Sequence, residues 1–182
     1  MKVNQLNNSW VLTVIISLFN FMYCSDEIRA ESNITIKKVN PIQIEITTHL
    51  GNQQSFVDGD IISFLLNLDT DAYLLVVYQD ATGNLIQLLP NRDSQKERYR
   101  AGLFISLPEE QAPFRFKVQP PYGDEILWAF ASDEPQPNLK GEELQNGLKR
   151  LKLDFKTLLQ TLRNKNQKSY GESSLSIHTR AR

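Results

Sequence analysis

Tyr73-Leu74-Leu75-Val76-Val77-Tyr78 is the stretch that decides the fold. It is apolar on both faces of an extended chain and sits between two turn signals, so it reads as a central strand covered on both sides. Asp69-Thr70-Asp71 turns the chain into it, and Asp80-Ala81-Thr82-Gly83-Asn84 leads out of it. The second turn reads as a hairpin loop, with Gly83 at the position that needs a left-handed residue after a type I turn.

Working outward, the chain keeps a two-residue rhythm. Ile34 and Ile36 alternate with Thr35 and Lys37, and after the Asn40-Pro41 turn Ile42, Ile44 and Ile46 alternate with Gln43, Glu45 and Thr47. Asp58-Gly59-Asp60 opens a strand over residues 61–68, with Ile62, Phe64, Leu66 and Leu68 on one face. Downstream, residues 85–89 return as a strand that Pro90 ends, and a polar stretch covers residues 91–100. Strands resume at residues 103–107, 114–118 and 125–131, the last two split by Pro120-Pro121-Tyr122-Gly123. Short strands at this spacing predict an antiparallel β-sandwich, Ig-like or jelly-roll-like.

The period changes after Pro135 and Pro137. Leu144, Leu148, Leu151, Phe155, Leu158 and Leu162 fall four or three residues apart, with Leu159 beside them. This spacing predicts an amphipathic helix over residues 142–164, and burying those seven side chains would contribute roughly 10–20 kcal/mol gross. Its expected resting place is the protein's own sandwich, ahead of a partner helix or a homodimer seam. A final strand over residues 174–179, with Leu175 and Ile177 on one face, is available to extend a sheet edge. The expected organisation is a signal peptide over residues 1–30, a sandwich over 31–138, and the helix with a basic tail over 139–182.

At the N-terminus, Lys2 precedes the apolar run WVLTVIISLFNFMY, residues 10–23. That run is shorter than the roughly 20 residues a membrane-spanning helix needs and fits a secretory signal peptide. Cleavage after Ala30 or after Ser25 is expected; an uncleaved anchor is the alternative. Cys24 is the single cysteine. Lipidation there is disfavoured by Phe21-Met22-Tyr23, since lipoprotein signals want small residues before the cysteine. Cleavage downstream of Cys24 would leave no thiol chemistry and no disulfide. The 182 residues hold one ordinary domain, and 41% apolar and 23% charged residues exclude disordered, collagen-like and multi-span classes. Acidic residues outnumber basic ones over residues 31–138, and the balance reverses over 139–182.

Phe56-Val57-Asp58-Gly59-Asp60, Asp71-Ala72-Tyr73 through Asp80, Leu88-Leu89-Pro90-Asn91, Ala101-Gly102, Ile105-Ser106-Leu107-Pro108 and Pro120-Pro121-Tyr122-Gly123 follow one another in a recognisable order. Over residues 56–131 the chain resembles the bacterial domain-of-unknown-function family 4384. The resemblance implies a bacterial β-sandwich, often appended to signalling or cell-envelope proteins. It implies no activity, and no functional residues carry over.

Little in the residues speaks for chemistry. His49 and His178 are far apart and lack neighbours at metal-ligand spacing, so no metal site is expected. Asp58, Asp60, Asp69 and Asp71 could gather calcium, but turn formation accounts for them better. No phosphate loop or nucleophile motif appears, no cofactor is expected, and the chain is not read as an enzyme. Tyr99 and Tyr122 are candidate exposed rings, and Arg98 and Arg100 flank Tyr99 in a basic loop. Trp128 reads as core. The mixed run from Arg92 to Arg100 reads as a solvated loop and not as a nucleic-acid surface. The expected function is an exported periplasmic or envelope module that binds a protein partner through sheet edges, the 91–100 loop or the basic tail. The alternative is a glycan- or peptidoglycan-binding sandwich using Tyr99 and Tyr122. Contact with the membrane is expected only through an uncleaved or lipidated N-terminus.

Overall fold

The structure, a computed structural model, describes residues 40–51, 55–94, 98–165 and 169–182. The signal peptide, Cys24 and the strand expected at residues 34–37 lie outside the described residues.

The chain runs β1 (Asn40–Pro41), β2 (Ile44–Thr48), β3 (Ser55–Val57), β4 (Ile61–Ile62), β5 (Phe64–Leu68), β6 (Tyr73–Gln79), β7 (Leu85–Leu89), β8 (Ile105–Leu107), β9 (Phe116–Lys117) and β10 (Asp124–Ser132). It continues with β11 (Gly141–Glu143), β12 (Lys149–Leu151), a single described helix α1 (Phe155–Arg163) and β13 (Ser169–Arg180). An eight-stranded sheet has the order β1-β13-β10-β6-β7-β12-β11, with β3 also on β13. A three-stranded sheet, β2-β5-β8, and a two-stranded one, β4-β9, complete the set. The protein is mainly β, with antiparallel sheets, a short C-terminal helix and a final strand.

β6 lies inside the large sheet, antiparallel to β10 on one side and β7 on the other. Its alternate side chains feed two cores, as a strand covered on both faces must. Leu74 and Val76 join one cluster with Phe64, Leu66, Leu68 and Leu107 from the three-stranded sheet. Leu75 and Val77 join another with Leu139, Leu151, Leu158 and Leu162. β10 does the same: Leu127, Ala129 and Ala131 face the first cluster, while Phe130 and the half-buried Trp128 face the second.

The predicted helix is shorter than its leucine spacing suggested. Residues 141–151 form a hairpin, β11 on β12, and the helix starts only at Phe155. Leu144 N–H donates to Leu148 O (2.8 Å), Gly147 N–H to Leu144 O (3.0 Å), and Gly147 has φ +79°. That is a three-residue loop closed by a left-handed glycine. In a helix, Leu148 and Leu151 would share a face; three residues apart along a strand, they face opposite ways. Leu148 enters the first core and Leu151 the second.

α1 is capped by Asp154, whose Oδ1 accepts from Thr157 N–H at 2.7 Å. It buries Leu158 and Leu162, one turn apart. Phe155 lies against Trp128, ring centroids 4.1 Å apart. The final strand is longer than expected and is not left at the end of the sheet. It pairs with β10 from Asp124↔His178 to Ser132↔Tyr170, and its two ends also take β1 and β3 in parallel.

Candidate functional site

The polar stretch after Pro90 is tied down at both described ends. Asn91 Oδ1 accepts from Asp93 N–H (2.9 Å) and Ser94 N–H (2.7 Å), a side-chain turn of the kind Asn favours. At the other end Tyr99 exchanges both backbone hydrogen bonds with Ala72. This pairing turns the Tyr99 ring into the first core, where the residue is 6% exposed, so the exposed ring expected from the sequence is not there. Arg98 is exposed, donates to Asp71 O at 2.6 Å and lies 5.8 Å from the Tyr73 ring centre. Arg100 is exposed beside it. Tyr122 is half-buried against the first core; partial burial and a hydrogen bond to Asp58 raise its pKa. Arg98 and Arg100 therefore share one surface, Tyr99 between them faces the core, and Tyr122 stands elsewhere.

That surface leads into the most apolar exposed segment of the described chain. Leu103 is 58% exposed and Phe104 72%. The backbone ahead of them is pinned, with Ala101 N–H donating to Asp71 Oδ1 (2.8 Å) and Gly102 N–H to Leu68 O (2.9 Å). β8 follows at once, paired only with β5, so its outer side has no ladder partner among the described residues. Arg98, Arg100, Leu103, Phe104, Glu109 and Glu110 border a concavity of about 410 Å³ here.

A larger cleft of about 670 Å³ opens at the other side of the loop. Tyr73, Leu74, Gln87 and Pro90 line it from the sheet, residues 135–138 from one flank, and Glu143 and Lys149 from the β11–β12 hairpin. Gln87 is buried because β7 pairs with β12 there, opposite Lys149. Its Nε2 donates to Pro90 O at 2.6 Å. Gln136 Nε2 donates to Tyr73 O (3.1 Å), Phe130 O (3.3 Å) and Ser132 Oγ (3.0 Å). The Oε1 atoms of both glutamines are buried and have no partner among the described residues.

A third hollow, of about 280 Å³, is lined by Phe64, Tyr78, Phe116 and Glu125 among others. Glu125 is buried and takes hydrogen bonds from Tyr78 Oη and from Thr179 Oγ1 (3.2 Å). Burial first, then the charge of Asp80, raises its pKa against these two bonds. Burial and the bond to Glu125 likewise push the Tyr78 phenol well up.

The histidines are occupied separately. His49 Nδ1 accepts from Ser63 N–H at 3.2 Å, and His178 Nδ1 lies 2.9 Å from Asp124 Oδ1 across the β10–β13 ladder. Asp60 accepts from Val57 N–H within its own turn, as expected of it, whereas Asp69 and Asp71 accept from Gln43 N–H and Ala101 N–H and so tie distant segments together.

The sequence pointed to Arg98 and Arg100 but missed their neighbours Leu103 and Phe104, which read as the start of a strand. It also missed Gln87. A lone amide inside Leu85-Ile86-Gln87-Leu88-Leu89 is a usable signal, since a buried polar residue is the informative exception. Gln136 carries no comparable mark beyond its two flanking prolines.

A two-layered β-domain with a helix on its outer face is the class these elements define. Residues 55–135 match the family model described as Domain of unknown function (DUF4384), so the resemblance read from the sequence holds over that stretch. The match runs from β3 through β10 and stops before β11, β12, α1 and β13. No curated protein and no solved structure matches the chain.

Proposed function

We propose that the protein is an exported bacterial envelope module that works by binding a protein partner, and that the β8 edge makes the contact. The observation that carries this reading is the pair Leu103 and Phe104, both largely exposed and directly ahead of an unpaired strand edge. Large apolar side chains that stay in water beside an open edge suit an added strand from a partner. Backbone pairing on β8 would supply affinity, and Leu103 and Phe104 would gain cover. Arg98 and Arg100 on one flank and Glu109 and Glu110 on the other would fix the direction of the added segment. Export is supported by Lys2 and the apolar run over residues 10–23.

One experiment tests the whole reading. The native protein and an L103D/F104D variant are crosslinked in cells, recovered from the envelope fraction and read by mass spectrometry. The expected result is a new N-terminus at Asp26 or Glu31 and a protein crosslinked near β8, with capture about tenfold weaker in the variant, equivalent to ~1.4 kcal/mol. A partner retained equally by the folded variant overturns the site, and an intact Met1 terminus in the cytoplasm overturns export.

A further inference from the structure

We propose that the partner at the β8 edge is a second copy of this chain, paired antiparallel about a two-fold axis at Ile105. This rests on the β8 reading and names the occupant of that edge.

The hydrogen bonds around β5 fix which groups of β8 are left open. Ser63 and Asp69, just outside the two ends of β5, both turn their backbone to the β2 side: His49 N–H donates to Ser63 O (2.8 Å) and Asp69 N–H to Gln43 O (3.2 Å). Backbone groups alternate sides along a strand, so those of Phe64, Leu66 and Leu68 face β8. Leu68 O does so, accepting from Gly102 N–H at 2.9 Å. Opposite Phe64 and Leu66 stand Leu107 and Ile105, whose backbone groups are therefore spent on β5. Those of Phe104 and Ser106 point outward. The open ladder stops there, because Gly102 N–H is already taken and Pro108 has no N–H. It consists of Phe104 and Ser106, placed evenly about Ile105. A strand meets the same ladder in its own copy: Phe104 exchanges both backbone bonds with Ser106 of the second copy, and Ser106 with its Phe104.

The side chains obey the same symmetry. Phe104, 72% exposed, comes opposite Ser106, which is small and exposed and leaves the ring room to lie across it. Arg100 precedes Ile105 by as many positions as Glu110 follows it, so the two-fold sets the basic flank of each copy against the acidic flank of the other. Both residues are exposed, and neither has an ion pair among the described residues. Arg100, Phe104, Ser106 and Glu110 border the same concavity of about 410 Å³, so these groups already share one surface. A partner of a single charge sign would suit one flank and oppose the other; a second copy suits both.

The test is sedimentation equilibrium of the protein in the form the cell accumulates, from about 1 μM to about 1 mM, which spans weak association. The expected result is a monomer–dimer equilibrium. Arg100→Glu alone and Glu110→Arg alone are each expected to weaken it about tenfold, since each sets like charges together at both ends of the pairing. Mixed in equal amounts, the two variants are expected to associate as tightly as the native chain, because every facing pair is then of opposite sign. Far-ultraviolet circular dichroism checks the fold of each. A mixture no tighter than either variant overturns the two-fold pairing, and so does a dimer that both variants retain. A native chain that stays monomeric throughout overturns the second copy. If a different protein still crosslinks near β8, the edge reading survives that result; if none does, both fall.

Discussion

The two faces of the large sheet are covered in different ways. On one face, Leu74, Val76, Leu127 and Ala129 meet the side chains of a second sheet, whose Phe64, Leu66, Leu68 and Leu107 are all 1% exposed or less. On the other, Leu75, Val77, Trp128 and Phe130 meet one short helix and the strand before it. The first cover comes mostly from residues 55–135, the stretch that matches the family. Most of the second, Leu139, Leu151, Leu158 and Leu162, comes from beyond it. The matched stretch therefore holds an apolar face that it does not close by itself, and the C-terminal segment is a structural part of the sheet and not an appendage.

The largest test of that contrast is removal of the second cover. Residues 31–138 expressed alone lose β13 from the flank of β10, together with β11, β12 and α1. The expected product aggregates or unfolds without a cooperative transition; soluble, cooperatively folding material would break the comparison. Single truncations sharpen it. Leu66→Ala in the inter-sheet core is expected to cost about 3–5 kcal/mol, and Leu158→Ala about 2–3, within the usual range for buried leucines. The smaller figure follows because a helix seated on two leucines can settle into the space, whereas a strand held by its ladder cannot. Urea unfolding of both variants measures the difference, and a larger loss at Leu158 would reverse the ranking.

The smallest effect is a pH slope from Glu125, which lies on β10 at the inter-sheet hollow. Burial holds its carboxyl above the ordinary value of 4.5, with Tyr78, Thr179 and Asp80 facing it and Arg115 and Lys117 on the same hollow. The folded protein keeps this proton to higher pH than the unfolded chain does. The group's contribution is therefore greatest below 4.5, declines as pH rises from there to the folded value, and is flat above it. Glu125→Gln is expected to flatten that decline in unfolding curves taken across the interval. An unchanged slope would remove Glu125 as its source.

Two hairpins show how far the sequence could be read. Asp80 N–H donates to Asn84 O and Gly83 N–H to Asp80 O, with φ +87° at Gly83. The loop from Leu144 to Leu148 repeats that pattern, with Gly147 in place of Gly83. The first was legible because Asp-Ala-Thr-Gly-Asn stands between two apolar strands. The second was hidden because its leucines fall at helical spacing, although Asn146-Gly147 is the stronger hairpin signal. Tyr99 was misplaced for a different reason: its burial comes from pairing with Ala72, a contact 27 positions away that no local pattern announces. Gln87 and Gln136 are similar, since each is ordinary in its own segment: the return of β12 beside β7 covers Gln87, and bonds to Tyr73, Phe130 and Ser132 place Gln136.

By itself the sequence determined the β class, the central strand at residues 73–78, the turns at Asp58-Gly59-Asp60 and Gly83, the helix-forming end of the leucine stripe and the family resemblance. Those features rest on alternation and turn chemistry, which act between near neighbours. The tertiary structure decided which leucines enter which core, that β13 lies between β10 and the short strands β1 and β3, and that the clefts exist at all. These depend on strand order and register between distant segments, and side-chain period alone carries no record of which strand lies next to which.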